Sequence, residues 1–152
     1  MNIIFLDIDG VVRTDNSDKF WSNLLNTKIP ISVFERKFDK KSISILNEIV
    51  YYTNAKIVIS SSWKNNFTLN ELKDIFKKEG FNGEVIDVTK CLYNRGEEIQ
   101  EYLDTHNINK YVVIDDNIKD IKNHINSNKI IECDSYIGLS GVNVENIIDL
   151  LC

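Results

Sequence analysis

Read from its amino terminus, the chain alternates short β-branched apolar runs with longer stretches whose apolar residues recur at intervals of three and four. The runs are "IIFLDI" at 3–8, "AKIVIS" at 55–60, "GEVIDV" at 83–88, "KYVVID" at 110–115 and "NKIIEC" at 128–133, each of strand length and strand composition. Residues 40–54, 68–79, 95–106, 118–126 and 142–151 carry the helical spacing. The first, second and fourth runs are nearly continuous in apolar side chains, as strands covered on both faces are. Strand-to-helix alternation then predicts a parallel five-stranded α/β sheet in a three-layer, Rossmann-like fold. Thr68 with Glu71 reads as a capping box and Gly80 as a stop for one helix. Residues 13–38 break the rhythm and hold the sole proline, Pro30. They read as a short flap inserted after the first strand, with room for one short helix.

Composition narrows this picture without choosing a function. A length of 152 residues with 43% hydrophobic content fits one domain spanning 1–152. The net charge of −5 argues against a broad basic surface that wraps duplex nucleic acid, while a local basic site remains compatible with it. Cys91, Cys133 and Cys152 are odd in number and lack any CxxC, which disfavours a disulfide framework or a zinc site and suits a reducing cytoplasm. The sequence enters an apolar strand with no basic leader, and no apolar run approaches about 18 residues. A cytoplasmic monomer with no membrane association is expected.

The chemistry lies at the carboxyl ends of the strand candidates, where open parallel sheets bind ligands. Asp7 and Asp9 end the first strand, two positions apart and on the same side, with Gly10 allowing a sharp turn. They also fit an Asx turn, but a carboxylate in an apolar strand end is costly unless it is paired or bound to metal. Ser60, Ser61 and Ser62 end the second strand, where hydroxyls and amides hold phosphate oxygens well, although serine is common in any loop. Asp115 and Asp116 end a further strand; as a pair they fit a plain turn, and together with Asp7 and Asp9 they offer the hard oxygen ligands that Mg²⁺ prefers. Arg95 stands at a predicted helix start, where the dipole disfavours a cation. An anionic ligand explains it, as does an ion pair with Glu97 or Glu98.

Asp-x-Asp-Gly, an apolar strand ending in serine, a cation, and Asp-Asp, in that order, resemble the haloacid dehalogenase superfamily of phosphohydrolases. "ISSSWK", "RGEEIQEYL", "VVIDD" and "DSYIGLS" at 134–140 resemble more closely the small domains of that superfamily in multifunctional RNA repair proteins. Arg95 departs from the lysine usual in the superfamily, and Lys64 stands where the closer relatives have arginine; each keeps the charge and changes its geometry.

The resemblance implies a Mg²⁺-dependent phosphatase in which Asp7 is the nucleophile and Asp9 the acid and base. It implies Mg²⁺ held by the Asp7 carboxylate, the Asp9 carbonyl and Asp116, with Asp115 acting through water, and Ser60 and Arg95 on the phosphate oxygens. Ser61, Ser62 and Lys64 are expected to contact substrate. The short insertion leaves no room for a large cap, so an open cleft and a phosphate at an RNA or DNA end, most simply a 3′ end, are expected. A small-molecule or nucleotide phosphatase and a catalytically silent binding domain are the alternatives. Trp21, Phe20 and Phe34 of the insertion could stack bases, but burying a flap against the domain is the commoner use of such aromatics. His106 and His124 lack metal spacing, and Asp120 either orients the Asp115 loop or faces solvent.

Overall fold

The computed structural model describes residues 1–24 and 37–152. Its centre is strand β1 (Asn2–Leu6), in which Ile4 and Leu6 face one side of the sheet and Ile3 and Phe5 the other, all four fully buried. That is why the run is apolar without alternation. β2 (Lys56–Ile59), β3 (Val85–Val88), β4 (Lys110–Asp115) and β5 (Ile130–Glu132) complete a five-stranded sheet in the order β3-β2-β1-β4-β5, with every pairing parallel. The expected α/β class and strand set are observed.

Among the described residues there are five α-helices, α1 (Asp15–Leu24), α2 (Lys40–Thr53), α3 (Leu69–Lys78), α4 (Arg95–Thr105) and α5 (Gly141–Leu151), and the last four cover the sheet. Leu46 and Ile49 of α2, Leu72 and Phe76 of α3 and Ile147 and Leu151 of α5 pack on the Ile4/Leu6 face; Ile99 and Tyr102 of α4 pack on the Ile3/Phe5 face. Thr68 and Glu71 form the capping box expected of α3. Among the described residues no helix is long and apolar enough to cross a membrane.

The helix expected at 118–126 is not α-helical. The segment forms a short 3-10 turn at Ile121–Asn123, and Ile121 and Ile125 still bury their side chains beside α4. Its Asn, Asp and His residues favour local turns over helix, and its Asp120 carboxylate is drawn to the backbone of α4, where it accepts from Gly96 N–H at 3.2 Å.

The insertion opens with the short helix for which the sequence left room, α1. Thr14 and Ser17 start α1 reciprocally, each hydroxyl accepting from the other's backbone N–H at 3.0 Å. Asp39 caps α2, accepting from Lys41 N–H at 2.9 Å, and its backbone N–H donates to Val12 O at 2.6 Å. The insertion thus leaves and re-enters the domain at one place. Phe34 and Pro30 lie outside the described residues, as does the side chain of Trp21; Phe20 is exposed on α1.

Candidate active site

The sheet order puts β1 beside β4 while their connections run to opposite sides, and this switch point is where the carboxylates gather. Asp7 continues the ladder past β1, its N–H donating to Ile114 O at 3.0 Å, and Asp115 is the last residue of β4. Asp116 then turns back against Gly10. A methyl group on Gly10 would stand 2.4 Å from the Asp116 carboxyl carbon, and Gly10 itself has φ +82°, so only glycine fits there.

Carboxylate oxygens of Asp7, Asp115 and Asp116 all lie within 4.8 Å of one another. Burial first, then the Asp115 charge, push the Asp7 carboxyl up to about 8, with a hydrogen-bond contact to Asp116 adding to the shift and Arg95 opposing it. Burial likewise raises Asp115. Arg95 reaches in from the first turn of α4, with Nη1 2.7 Å from Asp115 Oδ2 and 3.3 Å from Asp7 Oδ2. Burial opposes its charge, but Asp7 and Asp115 more than offset that and hold it cationic. Two buried carboxyl groups and the half-buried Asp116 face one guanidinium and gather more hard oxygen donors than that cation engages, a set that fits Mg²⁺. Asp115 has both oxygens engaged, since Oδ1 also accepts from Asn117 N–H at 2.9 Å. That leaves Asp7 and Asp116 as the carboxylates freer to take a cation.

Asp9 is held apart from this cluster. Its Oδ1 accepts from Arg13 Nη1 at 2.7 Å and its Oδ2 from Trp63 Nε1 at 3.0 Å, with the side chain 42% exposed. Arg13 is in turn bound to Asp18 of α1. The two carboxylates of the Asp-x-Asp pair therefore occupy different surroundings, one buried among anions and one solvated beside a cation.

The serine run divides by role. Ser60 N–H donates to Leu6 O at 3.0 Å, while its buried Oγ has no hydrogen-bond partner among the described residues. A buried hydroxyl left so is costly. Ser61 is structural: its Oγ accepts from Trp63 N–H at 3.2 Å and caps a 3-10 turn over Ser62–Asn65. Ser62 is exposed and lines a 390 Å³ cavity with Asn65, Tyr93, Asn94, Arg95 and Asn117.

Lys64, expected to contact substrate, lines the same cavity but commits its ammonium to the protein. Its Nζ turns inward to Glu98 Oε2 at 2.5 Å and also donates to Thr89 Oγ1 at 3.2 Å. Glu98 was a candidate partner for Arg95; it forms its ion pair with Lys64, while Arg95 Nη1 reaches Asp115 and Asp7. Asp120, as noted, secures the start of α4. His106 stacks on Tyr102 with centroids 3.7 Å apart, and His124 packs against Gly96. Arg13 and Trp63 emerge as functional neighbours that spacing alone does not single out. Arg13 stands four residues after Asp9, and Trp63 is brought to it from a different strand end.

No curated protein and no solved structure matches the chain. Residues 3–144 match the family described as the HAD (haloacid dehalogenase) domain in Swiss Army Knife RNA repair proteins. With the match running from β1 into α5 and taking in every carboxylate of the strand-end cluster, the chain belongs to that family.

Proposed function

We propose that this chain is a Mg²⁺-dependent phosphomonoesterase that works through an aspartyl phosphate on Asp7 and acts on phosphates at the 3′ ends of nucleic acid strands. The observation that carries the reading is the meeting of Asp7, Asp115, Asp116 and Arg95 at the switch point, with Asp9 set apart in a different environment. Asp7 attacks phosphorus as a carboxylate while the leaving oxygen departs in line and takes a proton from Asp9. Asp9, then anionic, removes a proton from the water that attacks the acyl phosphate, releasing inorganic phosphate and restoring Asp7. Arg13 and Trp63 orient Asp9 in both steps. Arg95 and the Ser60 hydroxyl hold phosphate oxygens, the latter having no hydrogen-bond partner among the described residues. Mg²⁺ held by Asp7, Asp116 and the Asp9 carbonyl would neutralise the meeting of carboxylate and phosphate charge.

The 3′-end assignment rests on the family's RNA repair setting and on the small space available for a cap. Between β2 and α4 the chain is taken up by α3, β3 and their short connections, so no cap domain is inserted there. A site without that enclosure suits a phosphate whose bulky remainder binds along the surface. The decisive measurement compares kcat/KM for a 3′-phosphorylated oligonucleotide, a 3′-mononucleotide and a sugar phosphate, with Mg²⁺ and with EDTA. The oligonucleotide is expected to lead and EDTA to silence all three. Preference for a small compound would refute the polynucleotide reading, and no turnover of any of them with a divalent metal would refute the phosphatase.

A further inference from the structure

The loop that delivers Arg95 also delivers an aromatic ring to solvent. Tyr93 is 94% exposed, two residues before Arg95, and both line the 390 Å³ cavity beside the carboxylate cluster. Nothing about folding asks for a tyrosine there, because α4 is already started by Asn94, whose Oδ1 accepts from Glu97 N–H at 2.9 Å. The loop is nonetheless fastened: Glu98 Oε1 accepts from Leu92 N–H at 3.1 Å, and Glu98 is itself fixed by the buried Lys64. An anchored, solvent-facing aromatic is preorganised for stacking, since little ordering remains to be done when a flat ligand arrives. The rest of the cavity wall is polar: the amides of Asn65, Asn94 and Asn117, the Ser62 hydroxyl, and the charged Lys64, Glu98 and Asp120, of which Lys64 and Glu98 pair with one another and Asp120 accepts from Gly96 N–H. Such groups match the donors and acceptors on the edge of a nucleobase and give a purely aliphatic ligand little to bind.

We propose that Tyr93 and the polar cavity beside it form a nucleobase subsite, in which the unpaired base of the nucleotide carrying the phosphate stacks on the Tyr93 ring while Arg95 engages its phosphate. This rests on the reading of the site as a phosphatase for nucleic acid ends and names the group that reads the end. Stacking of one base on one ring tolerates any base identity, so the subsite selects for an unpaired nucleotide rather than a sequence.

The test compares two 3′-phosphorylated oligonucleotides, identical except that one has an abasic terminal nucleotide. Wild-type protein should turn over the base-bearing end with kcat/KM at least about fivefold higher, the factor corresponding to about 1 kcal/mol. Tyr93→Ala should erase that ratio and leave kcat/KM for the abasic end unchanged, while Tyr93→Trp should keep it. Equal rates for the two ends in wild type, or an undiminished ratio in Tyr93→Ala, would overturn the subsite while sparing the phosphatase. Binding of both oligonucleotides to Asp7→Asn protein, followed by fluorescence anisotropy, separates the two readings: a base preference that Tyr93→Ala removes supports the subsite even if wild type hydrolyses neither end, and absence of any preference refutes it.

Discussion

Lys64 and Glu98, 34 positions apart in sequence, meet at 2.5 Å with side chains only 5% and 10% exposed. The pair joins the loop after β2 to the first turn of α4, the two elements that carry Ser60 and Arg95. A buried ion pair is not in itself a source of stability, but removing one member strands the other's charge. Glu98→Ala is expected to cost about 3–5 kcal/mol, read as a lower urea midpoint. Replacing both residues, as Lys64→Met with Glu98→Leu, should recover most of that loss. Turnover by the double variant should still fall, because the amide of Leu92 loses its anchor; full activity would show the pair to be dispensable for positioning.

Asp7→Asn should lower kcat by at least about 10³-fold with the fold intact by circular dichroism. The change keeps shape and removes the nucleophilic charge. Retention of more than a few per cent of the wild-type rate would exclude a covalent intermediate on Asp7.

The same residue makes stability depend on pH. Folded, metal-free Asp7 holds its proton up to about pH 8, whereas an unperturbed carboxyl gives it up near 3.8. Between these values the folded state binds more protons than the unfolded state, so this group's contribution to stability falls as pH rises. Thermal melts in EDTA should therefore give a lower Tm at pH 8.5 than at pH 5.5. Added Mg²⁺ should raise Tm most at the higher pH, and Asp7→Asn should flatten the EDTA profile. A metal-free Tm that rises over this interval would contradict the buried carboxylate cluster.

Gly10→Ala should impair Mg²⁺ binding more than folding. Its Cβ would fall 2.4 Å from the Asp116 carboxyl carbon in a backbone with φ +82°. Isothermal titration is expected to show Mg²⁺ affinity reduced at least about tenfold, the loss reached when groups supporting a metal site are disturbed; unchanged affinity would mean that Asp116 can move away without consequence.

Burial pushes the Cys133 thiol up to about 12, with Asp115 adding to it, while Cys91 and Cys152 are exposed. Iodoacetamide at pH 8 should modify Cys91 and Cys152 in native protein and reach Cys133 only after denaturation, as mass spectrometry of peptides would show.

Why some of this was legible in the sequence and some was not follows from the range of the interactions. Asp7 and Asp9 could be read because carboxylates at the end of an apolar strand conflict with their surroundings, and Arg95 because a cation conflicts with a helix start. Both conflicts are local. Lys64 could not be placed, because its inward turn depends on Glu98 arriving from another element. The segment around Ile121 and Ile125 shows helical spacing yet is a 3-10 turn, since burying two isoleucines four apart needs no full helix and Asp120 is used elsewhere. Ser61 looked identical to its neighbours until the turn it caps was seen.

Trp63 brings an optical property to the site. Its indole N–H is hydrogen-bonded to Asp9, and its ring is packed against Phe38 and Phe67 in the core. The sequence has two tryptophans, and replacing Trp21 by phenylalanine leaves a lone emitter touching the group assigned to proton transfer. Indole emission responds to charge near the ring, so the arrival of a phosphate dianion or a change in the charge on Asp9 is expected to register as a change in colour or intensity. The protein thus carries a built-in fluorophore through which the steps of the proposed turnover would be timed in a stopped-flow instrument without any added dye.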